Sequence, residues 1–180
     1  MSKCFALSLL LLAILAIALP AASKEPYNLV DRLVTAQRGL QAPREEKTDP
    51  VALARAIAIA SKGDRILAAA MLTTAYVETS LSDRLRRNEC RPQECDRRKA
   101  WGLYQIHKDG YTADVWGSPD VDVQSVAAAR KMKSAFYTAK NAHAPFPVGM
   151  FRAYGGRRVT ATVPREALRV STFNQVLGHL

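Results

Sequence analysis

The stretch that decides the fold is residues 64–80, DRILAAAMLTTAYVETS. Asp64 belongs to the residue types that cap helices by accepting hydrogen bonds from the first amides, and the apolar run behind it predicts a helix over Arg65–Val77. At about 100° per residue, Glu78 falls roughly 20° from Leu67 around the helix axis. The pattern therefore places a carboxylate on the apolar stripe of a helix.

The position of Glu78 has two interpretations. An ionised carboxylate that is removed from water without a charge partner is strongly disfavoured, so it holds its proton to higher pH. A general acid that works at neutral pH needs that property. In the other interpretation, Glu78 points into solvent at the helix end, ahead of Thr79 and Ser80. The helix pattern alone leaves both open.

Two short motifs follow Glu78-Thr79-Ser80 along the chain. Residues 100–106 read AWGLYQI, and residues 151–156 read FRAYGG. The order and spacing of the three motifs resemble the lysozyme-like domain of soluble lytic transglycosylases and goose-type lysozymes. That family shows a catalytic Glu followed by Ser, then Ala-x-Gly-Leu-Met-Gln-Ile, then Ala-Tyr-Asn-Ala-Gly. The resemblance covers the chain from Asp64 to Gly156.

The motifs depart from the family pattern at several positions. Thr79 stands in place of the usual Ser, Tyr104 in place of Met, and Gly155-Gly156 where Asn-Ala-Gly is typical. Goose-type lysozymes also carry an aspartate shortly after the glutamine, which is thought to position the attacking water, and here Asp109 comes two places late. The displaced aspartate weakens the hydrolase interpretation more than the transglycosylase one.

The resemblance implies a mainly α, lysozyme-like helical domain with a cleft that Glu78 faces. Glu78 would protonate the glycosidic oxygen between N-acetylmuramic acid and N-acetylglucosamine. Acting next as a base, it would draw in the C6 hydroxyl and form a 1,6-anhydro sugar. A goose-type-like muramidase that uses water remains the alternative enzyme.

The resemblance also implies the residues that would bind substrate. These are Gln105, Tyr154, Tyr104 through its backbone amide, and Ser80. A hydrolase needs a second carboxylate as nucleophile or as base. The candidates are Asp83, Asp96 and Asp109, and none lies in a motif that marks it. The transglycosylase scheme needs no second carboxylate, and we expect no metal and no cofactor.

The N-terminus has the three-part pattern of a secretory signal. Residues 1–23 open with Lys3, run apolar from Phe5 to Leu19 and end in small residues, so cleavage is expected near residue 22 or 23. An uncleaved anchor remains an alternative, because the apolar run is near the lower length for spanning a bilayer. The pattern predicts a periplasmic or secreted protein.

Cys90 and Cys95 form a close pair in the part of the chain that follows the signal. In an oxidising compartment such a pair more often forms a local disulfide than a reactive site. Closing so short a loop restricts the unfolded chain by roughly 2 kcal/mol. A zinc site would recruit His107 and His143, but no second histidine follows His107 at zinc-finger spacing.

The remaining pattern is helical, with at most a small hairpin near the cysteine pair. We predict an N-terminal helix or arm and linker over residues 24–47, and the lysozyme-like domain over residues 48–180. Within Val123–Ala139, the spacing of Met132 and Phe136 predicts that both lie in the core. The other predicted helices are Tyr27–Leu40, Val51–Ala60 after Asp49-Pro50, Val148–Tyr154 and a last helix in the tail from Pro164.

Aromatic residues gather between Trp101 and Trp116, with Tyr104 and Tyr111 between them. Aromatic faces suit sugar rings, which present C–H surfaces and hydroxyls, but the same side chains also fill cores. The sequence does not separate the two roles.

The formal net charge is +10, which suits a polyanionic partner. Because the protein is expected to be exported, peptidoglycan glycan strands are the favoured polyanionic partner. A secretion or cell-envelope machine is a further candidate partner. Residues 81–99 hold seven Lys and Arg without an aromatic among them, so no specific nucleic-acid site is expected there. Membrane contact is expected only through an uncleaved signal. Two alternatives stay open: a non-catalytic wall-binding or secretion-assembly protein, and an exported basic protein that binds nucleic acid or lipid.

Overall fold

A computed structural model describes residues 25–40, 47–95, 97, 99–108, 115–163 and 165–180. This part of the chain is mainly helical with one small two-stranded sheet, which confirms the predicted mainly α class. The predicted signal segment and most of the linker lie outside the described residues. The elements are α1 (Glu25–Gly39), α2 (Pro50–Ser61), α3 (Arg65–Thr79), α4 (Asp83–Arg86), β1 (Ala100–Trp101), β2 (Ile106–His107), α5 (Val121–Asn141), α6 (Val148–Tyr154) and α7 (Glu166–His179).

Side-chain caps fix where the helices begin. The Asp49 carboxylate accepts a hydrogen bond from the amide of Val51 at 2.9 Å, directly behind the proline that opens α2. The Asp64 carboxylate accepts from the amides of Ile66 and Leu67 at 2.9 and 3.0 Å. Aspartate caps of this kind satisfy amides that no helical carbonyl can reach. The predicted starts of α2 and α3 are confirmed.

Helix α3 lies at the centre of the fold. It contacts α1, α2, α5 and α7, and residues 67–75 are all buried. Its alanines leave room for neighbouring helices to approach closely on every side. The sequence pattern predicted one apolar stripe, but α3 is buried around most of its circumference. The position of Glu78 in line with Leu67 around the helix axis therefore does not by itself mark Glu78 as a functional residue.

Helix α1 is built into the same core as the helices that follow it. Leu29, Leu33 and Leu40 are buried, and Leu33 has no exposed surface. The helix packs against α2 and α7, which belong to opposite ends of the chain. Of the two expected descriptions, a helix or an arm, the structure shows a helix that shares the core.

The two strands form a short antiparallel hairpin in which Trp101 pairs with Ile106. The backbone amide of Ala100 donates a hydrogen bond to the carbonyl of Cys95 at 3.1 Å, so the hairpin directly follows the cysteine loop. The sulfurs of Cys90 and Cys95 are 2.19 Å apart, which is a bonded distance. The structure thus agrees with the predicted disulfide and the predicted small hairpin beside it.

Helix α5 confirms one of the two core assignments made for it. Met132 is 1% exposed and lies in the core, as predicted. Phe136 is 40% exposed, so its assignment to the core was wrong. The spacing of the two residues around a helix placed both on one face, but within the described ranges the packing leaves the outer side of Phe136 exposed.

No helix in the described part of the chain combines the length and the apolar character that a membrane span requires.

Candidate active site

The end of α3 is joined to the turn of the hairpin. The Thr79 hydroxyl lies 2.7 Å from the carbonyl oxygen of Ala75 and 3.3 Å from that of Leu103. Thr79 follows Glu78, and Leu103 is in the turn between the two strands. The hydroxyl therefore connects the first sequence motif to the second.

The third motif contacts the second through a buried tyrosine. The Tyr154 hydroxyl, on α6, donates a hydrogen bond to the backbone carbonyl of Tyr104 at 2.8 Å. Tyr154 is 2% exposed, and the Lys131 ammonium lies 4.6 Å from the centre of its ring. A direct hydrogen bond from this hydroxyl to a sugar does not fit that geometry. Tyr154 is a positioning residue: its buried hydroxyl holds the hairpin turn from the core side.

Gln124, a buried residue of α5, supports the same turn, and this role was not predicted from the sequence. The Gln124 side-chain oxygen accepts a hydrogen bond from the amide of Leu103 at 2.9 Å, and its nitrogen donates to the carbonyls of Arg86 and Ser118 at 2.8 and 2.9 Å. The only signal for Gln124 was an amide side chain between Val123 and Ser125 in a helical stretch, which fits a solvated helix position equally well.

The side chain of Tyr104 belongs to the core. Its hydroxyl shares a hydrogen bond with the Ser125 hydroxyl at 2.9 Å, and the residue has no exposed surface. Burial raises the pKa of the Tyr104 phenol above its ordinary value. Any contact from this residue to a ligand must come from its backbone.

Gln105 and Ser80 are the two predicted substrate-binding residues that remain half-buried. The Gln105 side-chain nitrogen donates to the carbonyl of Gly102 at 3.0 Å and lies 3.7 Å from the sulfur of Cys95. Ser80 caps the end of α3 in the left-handed conformation, and its carbonyl accepts a hydrogen bond from the Lys47 ammonium at 3.1 Å. Both residues border the junction of α3 with the hairpin.

Glu78 has a charge partner that the sequence argument assumed to be missing. One oxygen of its carboxylate, Oε1, lies 2.6 Å from Nη2 of Arg169 on α7. The Glu78 side chain is 23% exposed and that of Arg169 is 8% exposed. The Arg165 guanidinium also donates to the carbonyl of Val77 at 2.8 Å, so α7 lies across the end of α3. The premise of an unpaired buried carboxylate was wrong.

Asp83, one of the three candidates for the second carboxylate of a hydrolase, lies in a cluster of ion pairs. Asp83 is buried and forms ion pairs with Arg86 at 2.6 Å and with Arg87. Asp96 and Asp109 lie outside the described residues. Since Arg86 and Arg87 are engaged with Asp83, the positive charge of this segment is partly neutralised within it.

The predicted aromatic group divides between the core and its edge. Trp101 is buried, and its indole nitrogen donates to the carbonyl of Ser118 at 3.2 Å. Trp116 is half-buried, with its ring centre 5.8 Å from that of Trp101. Tyr111 lies outside the described residues. The described members of the group therefore serve mainly as packing.

The candidate site consists of the partly exposed Glu78 carboxylate at the end of α3 and the hairpin turn that contacts this end of the helix. Glu78, Ser80 and Gln105 are its residues with exposed surface, while Thr79 and Tyr154 hold the elements together. Comparison of the chain with protein-family models, with curated protein sequences and with solved structures gave no match.

Proposed function

We propose that this chain is an exported peptidoglycan-cleaving enzyme with a lysozyme-like fold, a lytic transglycosylase that acts on the β-1,4 bond between N-acetylmuramic acid and N-acetylglucosamine. The supporting observation is that three motifs separated along the chain meet in space. Thr79 lies 3.3 Å from the carbonyl of Leu103, and Tyr154 donates to the carbonyl of Tyr104. Both contacts brace the turn that carries Gln105 next to the end of α3.

In this proposal Glu78 acts first as an acid and then as a base. Its proton passes to the glycosidic oxygen as the bond between that oxygen and C1 of the muramic acid residue breaks. The substrate's own acetamido group stabilises the positive charge that develops at C1. The Glu78 carboxylate then takes the proton of the C6 hydroxyl while O6 bonds to C1, which closes the 1,6-anhydro ring.

The ion pair with Arg169 defines which carboxylate oxygen would do this work. Arg169 holds Oε1 at 2.6 Å, and among the described residues no hydrogen bond reaches Oε2. Oε2 is therefore the oxygen that would exchange the proton. Gln105 would hold the acetamido group by hydrogen bonds.

The Glu78–Arg169 pair also favours a second candidate, a non-catalytic wall-binding or secretion-assembly protein. A glutamate bound to a mostly buried arginine contributes to a fold whether or not it catalyses. In that case the junction of α3 and the hairpin is a binding surface, and Glu78 is a structural residue.

Turnover of purified peptidoglycan by the parent and by Glu78→Gln tests the proposal. General acid–base catalysis contributes about 10²- to 10⁴-fold to a rate, so Glu78→Gln should lose activity by at least that factor. Glu89→Gln is the matched control, since it makes the same chemical change at an exposed glutamate, and it should keep the parent rate.

Mass spectrometry of the products separates the candidates. We expect 1,6-anhydro ends that resist borohydride reduction. Reducible ends would show a hydrolase with another carboxylate as its second group. Wall binding by the parent without any product would support the non-catalytic protein, and full activity of Glu78→Gln would refute the assignment of Glu78.

A further inference from the structure

Three large aromatic side chains are exposed together on the surface formed by the end of α5 and the segment that follows it. Phe136 is 40% exposed, Tyr137 61% and Phe146 45%. The ring centre of Phe136 lies 5.9 Å from that of Tyr137 and 6.1 Å from that of Phe146. Contiguous exposed apolar patches on soluble proteins often mark a binding surface.

Buried aromatic residues of the core hold the three exposed rings in place. Phe146 packs edge-on against Phe173 of α7 at 5.5 Å, and Phe173 packs against Phe151 of α6 at 6.0 Å. Phe151 and Phe173 are each 1% exposed. The exposed rings are thus the outer end of a continuous series of edge-to-face aromatic contacts.

Lysines flank the exposed rings. Lys133 and Lys140 lie three residues before and four residues after Phe136, which places both beside it on the helix surface. Both are exposed, and neither forms an ion pair within the described residues. We call Lys133, Phe136, Tyr137, Lys140 and Phe146 the aromatic-lysine face.

The part of the chain that builds this face is strongly basic. From Val123 to Leu180 the only acidic residue is Glu166. Glu166 is bound to Arg152 at 2.7 Å, and this guanidinium lowers the pKa of the Glu166 carboxyl. The partner of the aromatic-lysine face should therefore be anionic.

The ring orientations select the kind of anionic partner. The ring of Phe136 is inclined at 74° to that of Tyr137 and at 76° to that of Phe146. Perpendicular neighbours do not form the flat platform on which nucleic-acid bases stack. They form an apolar wedge with cationic sides, which suits a bilayer interface, where rings enter the headgroup region and ammonium groups meet lipid phosphates.

We infer that the aromatic-lysine face docks this protein onto an anionic lipid bilayer. The inference does not depend on the wall-cleaving proposal, and it gives the protein a membrane contact apart from its N-terminal segment. Phe136, Tyr137 and Phe146 enter the interface, and Lys133 and Lys140 contact the phosphates of anionic headgroups.

Flotation with vesicles tests the inference, using phosphatidylcholine vesicles with and without one third phosphatidylglycerol. The full chain is used for the parent and all variants, so any contribution of residues 1–24 is common to all. The parent should bind the anionic vesicles more tightly than the neutral ones. Phe136→Ser/Tyr137→Ser should weaken binding to anionic vesicles by about ten-fold. Both positions are on the surface, and circular dichroism should show an unchanged fold.

A charge-matched pair of variants separates this face from the general basicity of the chain. Lys133→Gln/Lys140→Gln should weaken anionic binding by about 30-fold, at roughly five-fold for each lysine. Arg55→Gln/Lys62→Gln removes the same charge from exposed positions on α2 and directly after its end, and should change binding by less than about three-fold. Equal losses in the two pairs would overturn the inference.

A direct probe locates the contact. In Tyr137→Trp, emission should shift to shorter wavelength on anionic vesicles and be quenched by brominated lipid, relative to the parent with Trp101 and Trp116. An unchanged spectrum, equal binding to neutral vesicles, or unaltered binding by Phe136→Ser/Tyr137→Ser would each overturn the inference. So would loss of single-stranded oligonucleotide binding in these variants without loss of vesicle binding.

Discussion

Tyr154 supports the candidate site through the backbone and not through an exposed side chain. Its hydroxyl is buried and donates to the carbonyl of Tyr104, so it sets the path of the turn that carries Gln105. The motif pattern identified the residue, but the pattern does not show on which side of the turn the hydroxyl lies. Its effect on a ligand would pass through the backbone of Tyr104.

We predict that Tyr154→Phe lowers the free energy of unfolding by about 1 to 3 kcal/mol. The change leaves the carbonyl of buried Tyr104 without its donor, which costs the desolvation of that group. Tyr137→Phe, which removes a hydroxyl from a side chain 61% exposed, should stay within about 0.5 kcal/mol of the parent. Urea unfolding measures both. Equal stability of the two variants would show that the buried hydrogen bond contributes nothing.

The ion pair of Glu78 with Arg169 decides how Glu78→Gln should change stability. An unpaired buried carboxylate would be relieved by conversion to the neutral amide, but a paired one leaves the cation behind. Glu78→Gln should therefore be less stable than the parent, within a range of about 1 to 3 kcal/mol. We expect a value near the lower end of that range, because the Glu78 side chain is partly exposed to water.

A double-mutant cycle isolates this pair from other effects. Glu78→Gln, Arg169→Met and the double variant should show a coupling energy of about 1 to 3 kcal/mol. A coupling near zero would mean that the two groups interact no more strongly than exposed charges do.

At the scale of elements, the hairpin turn depends on a glycine. Gly102 has a φ of +62°, and a Cβ built there would lie 2.5 Å from the side-chain oxygen of Gln124. That oxygen also accepts the hydrogen bond from the amide of Leu103. The turn can be this close to α5 only because residue 102 has no side chain.

Gly102→Ala should destabilise the protein more than Gly156→Ala. Gly156 has a similar φ of +70°, but a Cβ there would meet nothing within 4 Å. Both variants pay backbone strain of about 1 to 2 kcal/mol, and Gly102→Ala also displaces Gln124 from its hydrogen bonds, at about 1 to 3 kcal/mol more. Thermal unfolding compares them, and equal losses would contradict the close packing of the turn on α5.

The cysteine loop is held by an ion pair as well as by its disulfide. Glu94 contacts Arg84 through both carboxylate oxygens, at 2.8 and 3.0 Å. The Arg84 hydrogen bond, with a further one from the amide of Arg91, lowers the pKa of Glu94 from 4.5 to about 2. A depressed folded-state pKa stabilises the protein above the unfolded-state value, and this contribution is lost as pH falls through the folded-state value.

The stability of the parent relative to Glu94→Gln should therefore depend on acidity. The parent's advantage should be full above about pH 5, shrink as the pH falls and vanish near about pH 2. Urea unfolding across this range measures it. An advantage that stays constant, or that grows toward acid, would show that Glu94 does not stabilise the loop through its charge.

At the scale of the molecule, positive charge is distributed unevenly. Near the cysteine loop it is balanced locally, since Asp83, Glu89 and Glu94 pair with arginines close in sequence. Over residues 123–180 it is not balanced, because Glu166 is the only acidic residue in that range. Residues 123–180, which include most of α5 and all of α6 and α7, therefore carry most of the formal net charge of +10. An anionic surface would meet the protein on the side that these residues build.

The features that the sequence determined depend on near neighbours in the chain. Asp49 and Asp64 cap their helices through amides two or three residues away, and Cys90 reaches Cys95 across one short loop. Helix α6 has the predicted bounds, Val148–Tyr154, because its limits are set by local proline and glycine. Such interactions need no knowledge of the rest of the fold.

The features that only the tertiary structure decided join distant parts of the chain. Arg169 meets Glu78 across 91 positions, and Tyr154 meets Tyr104 across 50. Helical periodicity indicates which face of α5 is apolar, but it does not show where a neighbouring helix ends, and so it placed Phe136 in the core. Which charge finds a partner, and which ring stays exposed, depends on how helices pack, because a side chain's surroundings belong to the assembled core and not to its own helix.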